Sequence, residues 1–113
     1  MALGGQLKRI SGPAYLANAA ADIYTPPAST IYTVIRHIHI ANVTAAVATF
    51  TLYVGATGGS AAGTELFKAV SVAANSTYDY FCNQKMVSTD FLSGLASGAS
   101  TLTITVMGEQ VVV

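Results

Sequence analysis

The amino-acid sequence predicts an all-β fold, a single antiparallel β-sandwich of the jelly-roll type. About eight short segments alternate between apolar and polar residues, and turn residues recur roughly every eight to twelve positions. No convincing helical period extends over ten or so residues. An immunoglobulin-like sandwich produces a similar pattern and stays open as the alternative, although the chain has one cysteine and no tryptophan and therefore lacks that family's Cys–Trp–Cys core.

The length of 113 residues predicts one domain, which is large enough to bury a core without metals or disulfides. Glycines at positions 4, 5 and 12 mark residues 1–12 as an N-terminal arm, within which a short strand is possible at Gln6–Ile10. The sandwich domain is expected at residues 13–113.

The first elements of the sandwich are predicted as short strands at Ala14–Asn18 and Asp22–Thr25, followed by a turn at Pro26 and Pro27. The central strand is predicted at Ile31–Asn42, the longest run of β-favouring residues. Strict alternation divides its side chains between two faces. One face holds Tyr32, Val34, Ile38 and Ile40, and the other holds Ile31, Thr33, Ile35, His37 and His39.

The next strand is predicted at Thr49–Val54, paired with the central strand as a hairpin, with Phe50, Leu52 and Val54 inward. A glycine-rich surface loop follows at Gly55–Gly63. The strand after it is predicted at Thr64–Ala73. Its alternation places Leu66, Val70 and Val72 on one face and Phe67 and Ala69 on the other.

The C-terminal half is predicted to contain strands at Tyr78–Cys82, Phe91–Ser97 and Thr101–Met107, with an irregular segment at Asn83–Asp90. In the last strand, Leu102, Ile104 and Val106 point inward. Gly108 is expected to end that strand, leaving an apolar tail at the C-terminus.

The charge content excludes several functional classes. Only 9% of residues are charged, against about 25% in an average domain, and the net charge is zero. Without a basic patch, nucleic-acid binding is not expected, and no apolar run approaches the roughly 20 residues that span a membrane. A surface so poor in charge predicts association with partners, including copies of the same chain.

Cys82 is the single cysteine, which fits synthesis in a reducing cytosol. Residues 1–12 have no apolar stretch after their charges, so we do not expect them to be a secretion signal. We interpret Cys82 as a buried small side chain rather than a nucleophile. The five acidic residues form no close pair in sequence, and no phosphate-binding or nucleophile motif occurs. The sequence therefore predicts a protein that is not an enzyme.

His37 and His39 are two residues apart and share one face of a strand, a spacing that binds a divalent metal if a third ligand is added. In the cupin motif a glutamate follows the second histidine by three or four residues, and a glycine stands at the position that Ile31 occupies in this chain. Both are missing, so no metal and no cofactor is expected. The alternative is a half-buried or subunit-contact position, where protonation below about pH 6.5 would loosen an assembly.

Two segments are candidate subunit or shell contacts. The arm presents Lys8, Arg9 and Ile10, and the tail presents Val111, Val112 and Val113. The tail either completes a sheet of its own chain or adds to a neighbour's sheet. Tyr78 and Tyr80 share a face and would either stack on sugar rings or pack against the sheet.

Several segments together resemble one family. They are Tyr24–Ala28 leading into Val34–Asn42, then Ala73–Thr77, and finally Leu102–Gly108. This order is similar to small β-sandwich structural proteins of tailed bacteriophage virions, and the similarity covers residues 14–110. The resemblance implies a capsid decoration or cement protein, often trimeric, or a tail, collar or fibre component. It implies no catalytic residues.

The resulting expectation is a non-enzymatic virion protein, made in the host cytoplasm, that decorates the outer capsid shell as a symmetric oligomer, with a trimer favoured. Its partners would be itself and the major capsid or other virion proteins. The alternative is a tail, collar or fibre component that binds a receptor or glycan through Gly55–Gly63 and exposed tyrosines.

Overall fold

The computed structural model describes residues 5–28, 30–56 and 63–112, in which the chain forms eight β-strands. They are β1 (Gly5–Tyr15), β2 (Ala21–Tyr24), β3 (Thr30–Asn42), β4 (Ala48–Gly55), β5 (Glu65–Val72), β6 (Thr77–Met86), β7 (Phe91–Ala96) and β8 (Leu102–Val112). Every pairing is antiparallel. Over these residues no helix is long and apolar enough to cross a membrane.

The strands form two four-stranded sheets that pack face to face. Sheet A has the order β1-β8-β3-β6, and sheet B has the order β2-β7-β4-β5. Consecutive strands alternate between the sheets except at β4 and β5, which is the winding of an eight-stranded jelly roll. The predicted all-β, jelly-roll-like sandwich is confirmed.

The predicted hairpin between the central strand and its successor is wrong, because β3 and β4 lie in different sheets. The connection between them turns around Asn42, which is 3% exposed. The Asn42 side-chain amide donates to the carbonyl oxygens of Ala46 and Val72 at 2.8 and 3.0 Å. Its oxygen accepts from the amide and hydroxyl of Thr44 at 2.9 and 2.8 Å. This buried polar side chain therefore directs the chain from one sheet to the other.

The core lies between the sheets and follows the inward positions of the strands. The predicted inward triplet Leu102, Ile104 and Val106 is at most 2% exposed, as are Phe50 and Leu52. The other apolar members of this cluster are Leu16, Ile35, Ile38, Ile40, Ala48, Val72, Met86, Leu92 and Ala96. Burial of these side chains supplies the main favourable term for folding, at about 25 cal/mol per Å² of apolar surface.

The central strand does not keep one alternation along its length, so its predicted faces are partly wrong. Ile35, Ile38 and Ile40 are all buried, although Ile35 has the opposite parity from the other two. The register with β8 shifts between Ile35 and His37, and Arg36 is the extra residue. Such a bulge places two successive residues on one side of the strand, so the inward face changes parity after Arg36.

A second irregularity corrects the predicted faces of β5. The register with β4 shifts between Val70 and Phe67, and Ala69 has a positive φ of 49°. Phe67 consequently shares the inward face with Val70, and its ring centroid lies 5.6 Å from that of Phe50.

The first and last strands, β1 and β8, form one antiparallel pair. The strand considered possible at Gln6–Ile10 is present and extends to Tyr15, so the predicted boundary between residues 12 and 13 falls inside β1, and Ala14 does not begin a separate strand. β8 continues past Gly108 to Val112, so the prediction that this glycine ends the strand is wrong. Residues 83–86, predicted as irregular, belong to β6.

Gly108 lies where β8 passes close to the irregular part of β3. A Cβ atom at this position would meet the carbonyl oxygen of Val34 at 2.1 Å and the Cα atom of Ile35 at 3.0 Å. Only glycine can occupy position 108 so close to the β3 backbone without moving one of the two strands.

We predict that Gly108→Ala lowers the free energy of unfolding by about 1–3 kcal/mol, because the new methyl group overpacks against backbone atoms. Urea unfolding followed by circular dichroism measures the change. Gly98→Ala is the matched control, because its Cβ would meet only the methyl group of Thr101 at 3.2 Å. Equal stability losses in the two variants would contradict the close approach at Gly108.

Candidate functional site

The outer face of sheet A, which points away from sheet B, gathers the histidines of the central strand. The register places Phe81 of β6 opposite His37 of β3 and Asp79 of β6 opposite His39. Residues opposite each other in antiparallel strands project to the same face. Because Ile38 and Ile40 point into the core, these four side chains project outward.

Both histidines contact the same oxygen atom of Asp79. The Nε2 atom of His37 lies 2.8 Å from Oδ1 of Asp79, and the Nδ1 atom of His39 lies 2.6 Å from it. An ionised carboxylate only accepts hydrogen bonds, so each facing ring nitrogen donates. The hydrogen bonds from His39 and then His37 hold the pKa of the Asp79 carboxyl below its usual value. The carboxylate is thus kept ionised beside two imidazole rings.

Phe81 packs against the imidazole ring of His37. The rings of His37 and Phe81 are stacked, with centroids 4.3 Å apart and an interplanar angle of 7°. Phe81 is nevertheless 73% exposed, which is a high value for a large apolar side chain. A solvent-exposed aromatic ring beside a polar cluster is characteristic of a surface that binds another protein.

A second polar group lies next to this cluster at the bulge of β3. Arg36 donates from Nε to Oε2 of Glu109 at 2.7 Å and from Nη1 to Oδ1 of Asn83 at 2.5 Å, and its Nη2 also contacts Glu109. These contacts connect β3 with β8 on one side and with β6 on the other. The Arg36–Glu109 ion pair is exposed, so its contribution to the stability of the fold is small.

The arm and the tail belong to adjacent strands of sheet A, with Gly5 opposite Val111. The predicted arm residues Lys8 and Arg9 lie farther along, opposite Gly108 and Met107. Lys8 and Arg9 are exposed, and Nζ of Lys8 donates to Oε1 of Gln110 at 3.0 Å. Ile10 is half-buried and packs against the core.

Val111 lies between β1 and β3, and the backbone of Val112 is paired with that of Thr30. The tail therefore completes a sheet of its own chain, one of the two predicted possibilities. The side chain of Val112 and the whole of Val113 lie outside the described residues.

The tyrosines considered as a sugar-stacking surface pack inward. Tyr78 lies against Phe50 and Phe67, with centroid distances of 5.4 and 5.8 Å. Tyr80 lies 4.7 Å from Phe67. Both rings belong to the side of β6 that covers the core, as the packing interpretation predicts. Residues 57–62 of the predicted Gly55–Gly63 loop lie outside the described residues.

Cys82 is half-buried on the same inward side of β6, and its thiol donates to the carbonyl oxygen of Ile35 at 3.3 Å. Burial raises the pKa of the Cys82 thiol. A protonated, partly enclosed thiol is a poor nucleophile, in agreement with the interpretation of Cys82 as a packing residue.

The sequence pointed to the two histidines but not to Asp79 or Phe81 as their neighbours. The cupin motif takes its carboxylate from the residues directly after the histidine pair, whereas Asp79 is 40 positions from His39. Pairing of β3 with β6 is the signal that would have revealed it. The use of these histidines as a pH-sensitive interface stays a prediction.

Comparison of the chain with protein-family models, with curated proteins and with solved structures gives no match.

We predict that Asp79→Ala changes the imidazole ¹⁵N chemical shifts of His37 and His39 together, because one carboxylate oxygen accepts from both rings. Two-dimensional NMR of the side chains measures this. Glu109→Ala removes a carboxylate from the neighbouring strand on the same face and should leave both imidazoles unchanged. A shift confined to one histidine in Asp79→Ala would contradict the shared contact.

Proposed function

We propose that the protein is a non-enzymatic structural component of a bacteriophage virion, a capsid decoration protein that binds the outer shell as a symmetric oligomer, with a trimer favoured. The observation that carries the proposal is the set of large apolar side chains exposed on a charge-poor jelly roll. The virion assignment rests on the resemblance of the strand and turn segments to that class of protein.

The outer face of sheet A is the surface that best suits assembly. Leu7 and Tyr15 on the edge strand β1 are 78% and 57% exposed, and Phe81 on the opposite edge strand β6 is 73% exposed. Three strand spacings separate these edges, so the face is about 14 Å wide. Apolar and aromatic side chains on both borders favour burial against a partner.

On the strands between these borders, the charged side chains of Arg36 and Glu109 are paired with each other, so together they add no net charge to the face. Thr105 and Met107 of β8 lie opposite the two histidines and Thr103 lies opposite Ala41, and all three are half-buried. Threonines and a methionine are removed from water at lower cost than charged groups. The face can therefore become the centre of an interface, with Arg9 at its rim.

Pairing of the arm with the tail supports a single contact region along the β1 border of sheet A. Lys8 and Arg9 are surface groups of the strand that also presents Leu7, and Val111 lies in the adjacent strand. A partner that covers the outer face here would contact Leu7, Arg9 and Val111, whereas Lys8 has the opposite parity and lies beside Gln110. Each copy would stabilise an assembled shell by the apolar area that it buries, since binding to the assembled state favours that state by mass action.

We predict that the double variant Leu7→Thr/Tyr15→Thr raises the dissociation constant of the oligomer at least about tenfold, which is roughly 1.4 kcal/mol. The reason is the loss of apolar area from the outer face of sheet A. Light scattering coupled to size-exclusion chromatography, over a series of concentrations, measures the oligomer.

Val43→Thr/Val47→Thr is the matched control, because these valines are 50% and 64% exposed in the connection between the sheets. If the control dissociates as readily as the double variant, this face is not the interface. Deleting residues 1–12 is a poor test, because it removes most of the strand β1 that covers β8.

A separate experiment tests where the protein lies on a phage particle. Gold-labelled antibody against the purified protein, applied to phage particles purified from cells that express it, is expected to label the head at regular positions. Labelling confined to the tail or collar, or no labelling of any particle, would reject the decoration role.

A further inference from the structure

We propose that His37, His39 and Asp79 bind one divalent transition-metal ion on the outer face of sheet A. The sequence offered two histidines and no third ligand, and the fold supplies the missing carboxylate from β6. One ligand atom from each of the three side chains lies within 4.8 Å of the other two. All three come from one chain, so the site requires no partner.

The ligand atoms are close to the separations that a metal site needs. Bonds from zinc to imidazole nitrogen or carboxylate oxygen are about 2.0–2.2 Å long, so neighbouring ligands lie roughly 2.9–3.4 Å apart. The oxygen of Asp79 now lies 2.8 and 2.6 Å from the ring nitrogens of His37 and His39. No pair of these atoms has to move by more than about 1.5 Å, which small side-chain rotations provide.

The supporting structure holds the ligands in place. β3 lies between β8 and β6, so the backbone that carries His37 and His39 is hydrogen-bonded on both sides. Asp79 is directly opposite His39, and the ring of Phe81 stacks on that of His37. Ligands on paired strands are positioned more accurately than ligands on loops.

The ligand set indicates the class of ion. Two imidazole nitrogens and one carboxylate oxygen suit zinc, iron, cobalt or nickel, whereas calcium and magnesium prefer oxygen ligands alone. The side chains of His37, His39 and Asp79 are 20%, 37% and 39% exposed, so water can complete the coordination from the open side. The ion would take the place of the two protons that the rings now donate to Asp79, and those protons leave the facing nitrogens.

Calorimetric titration of the full chain with Zn²⁺, after treatment with a chelator, tests this proposal. We expect one ion per chain with a dissociation constant in the micromolar range or below. Replacement of Zn²⁺ by Co²⁺ should give visible absorption bands that report its coordination by the protein. Asp79→Ala and His39→Ala should each weaken Zn²⁺ binding at least about tenfold, since loss of even an indirect partner costs that much.

Glu109→Ala is the control, because it removes an acidic group from the same face without touching the three ligands. Circular dichroism checks that each variant is folded. If Asp79→Ala or His39→Ala fails to fold, the other variant still tests the site. Zn²⁺ binding that survives in both ligand variants, or heat no greater than that of dilution, would overturn the proposal. A stoichiometry of one ion for two or three chains would also overturn it, because the site would then be shared.

Discussion

The bulge of β3 at Arg36, where Gly108 of the neighbouring strand β8 lies close to the β3 backbone, determines which side chains of sheet A are exposed to water. β8 accommodates the extra residue of β3 because Gly108 has no Cβ to meet the carbonyl of Val34. After that point the parity of β3 is reversed, so Ile38 and Ile40 enter the core and His37 and His39 leave it. Without the shift, the imidazoles would face an apolar interior, where unpaired polar groups are costly.

The fold class could be derived from the sequence because alternation is a local property. Leu102, Ile104 and Val106 show it plainly, and they are buried as expected. Register is not local, since it depends on which strands pair and on where one of them carries an extra residue. Nothing in the residues around Arg36 or Ala69 distinguishes a bulged strand from a regular one. The small residues after Asn42 are likewise compatible with a hairpin and with a crossing to the other sheet.

The difference between local alternation and non-local strand pairing also explains which residues of the candidate site the sequence predicts. The pair His37 and His39 is visible in the sequence because both lie on one strand. Asp79 joins them only through the pairing of β3 with β6, and Phe81 is exposed only because its parity is opposite to that of Tyr80. A jelly roll places strands that are distant in sequence side by side, so its surface clusters are mostly assembled from separate segments.

The pairing of Gly5 with Val111 has a consequence for how the molecule can be linked to others. The two ends of the described chain emerge about one strand spacing apart, roughly 4.8 Å, at the same corner of the sandwich. A peptide joined directly to the start of β1 or to the end of β8 would therefore leave the sandwich from the same corner. A short linker between the ends, with new termini opened in a surface loop, would preserve every strand pairing, which makes the sandwich suitable for circular permutation.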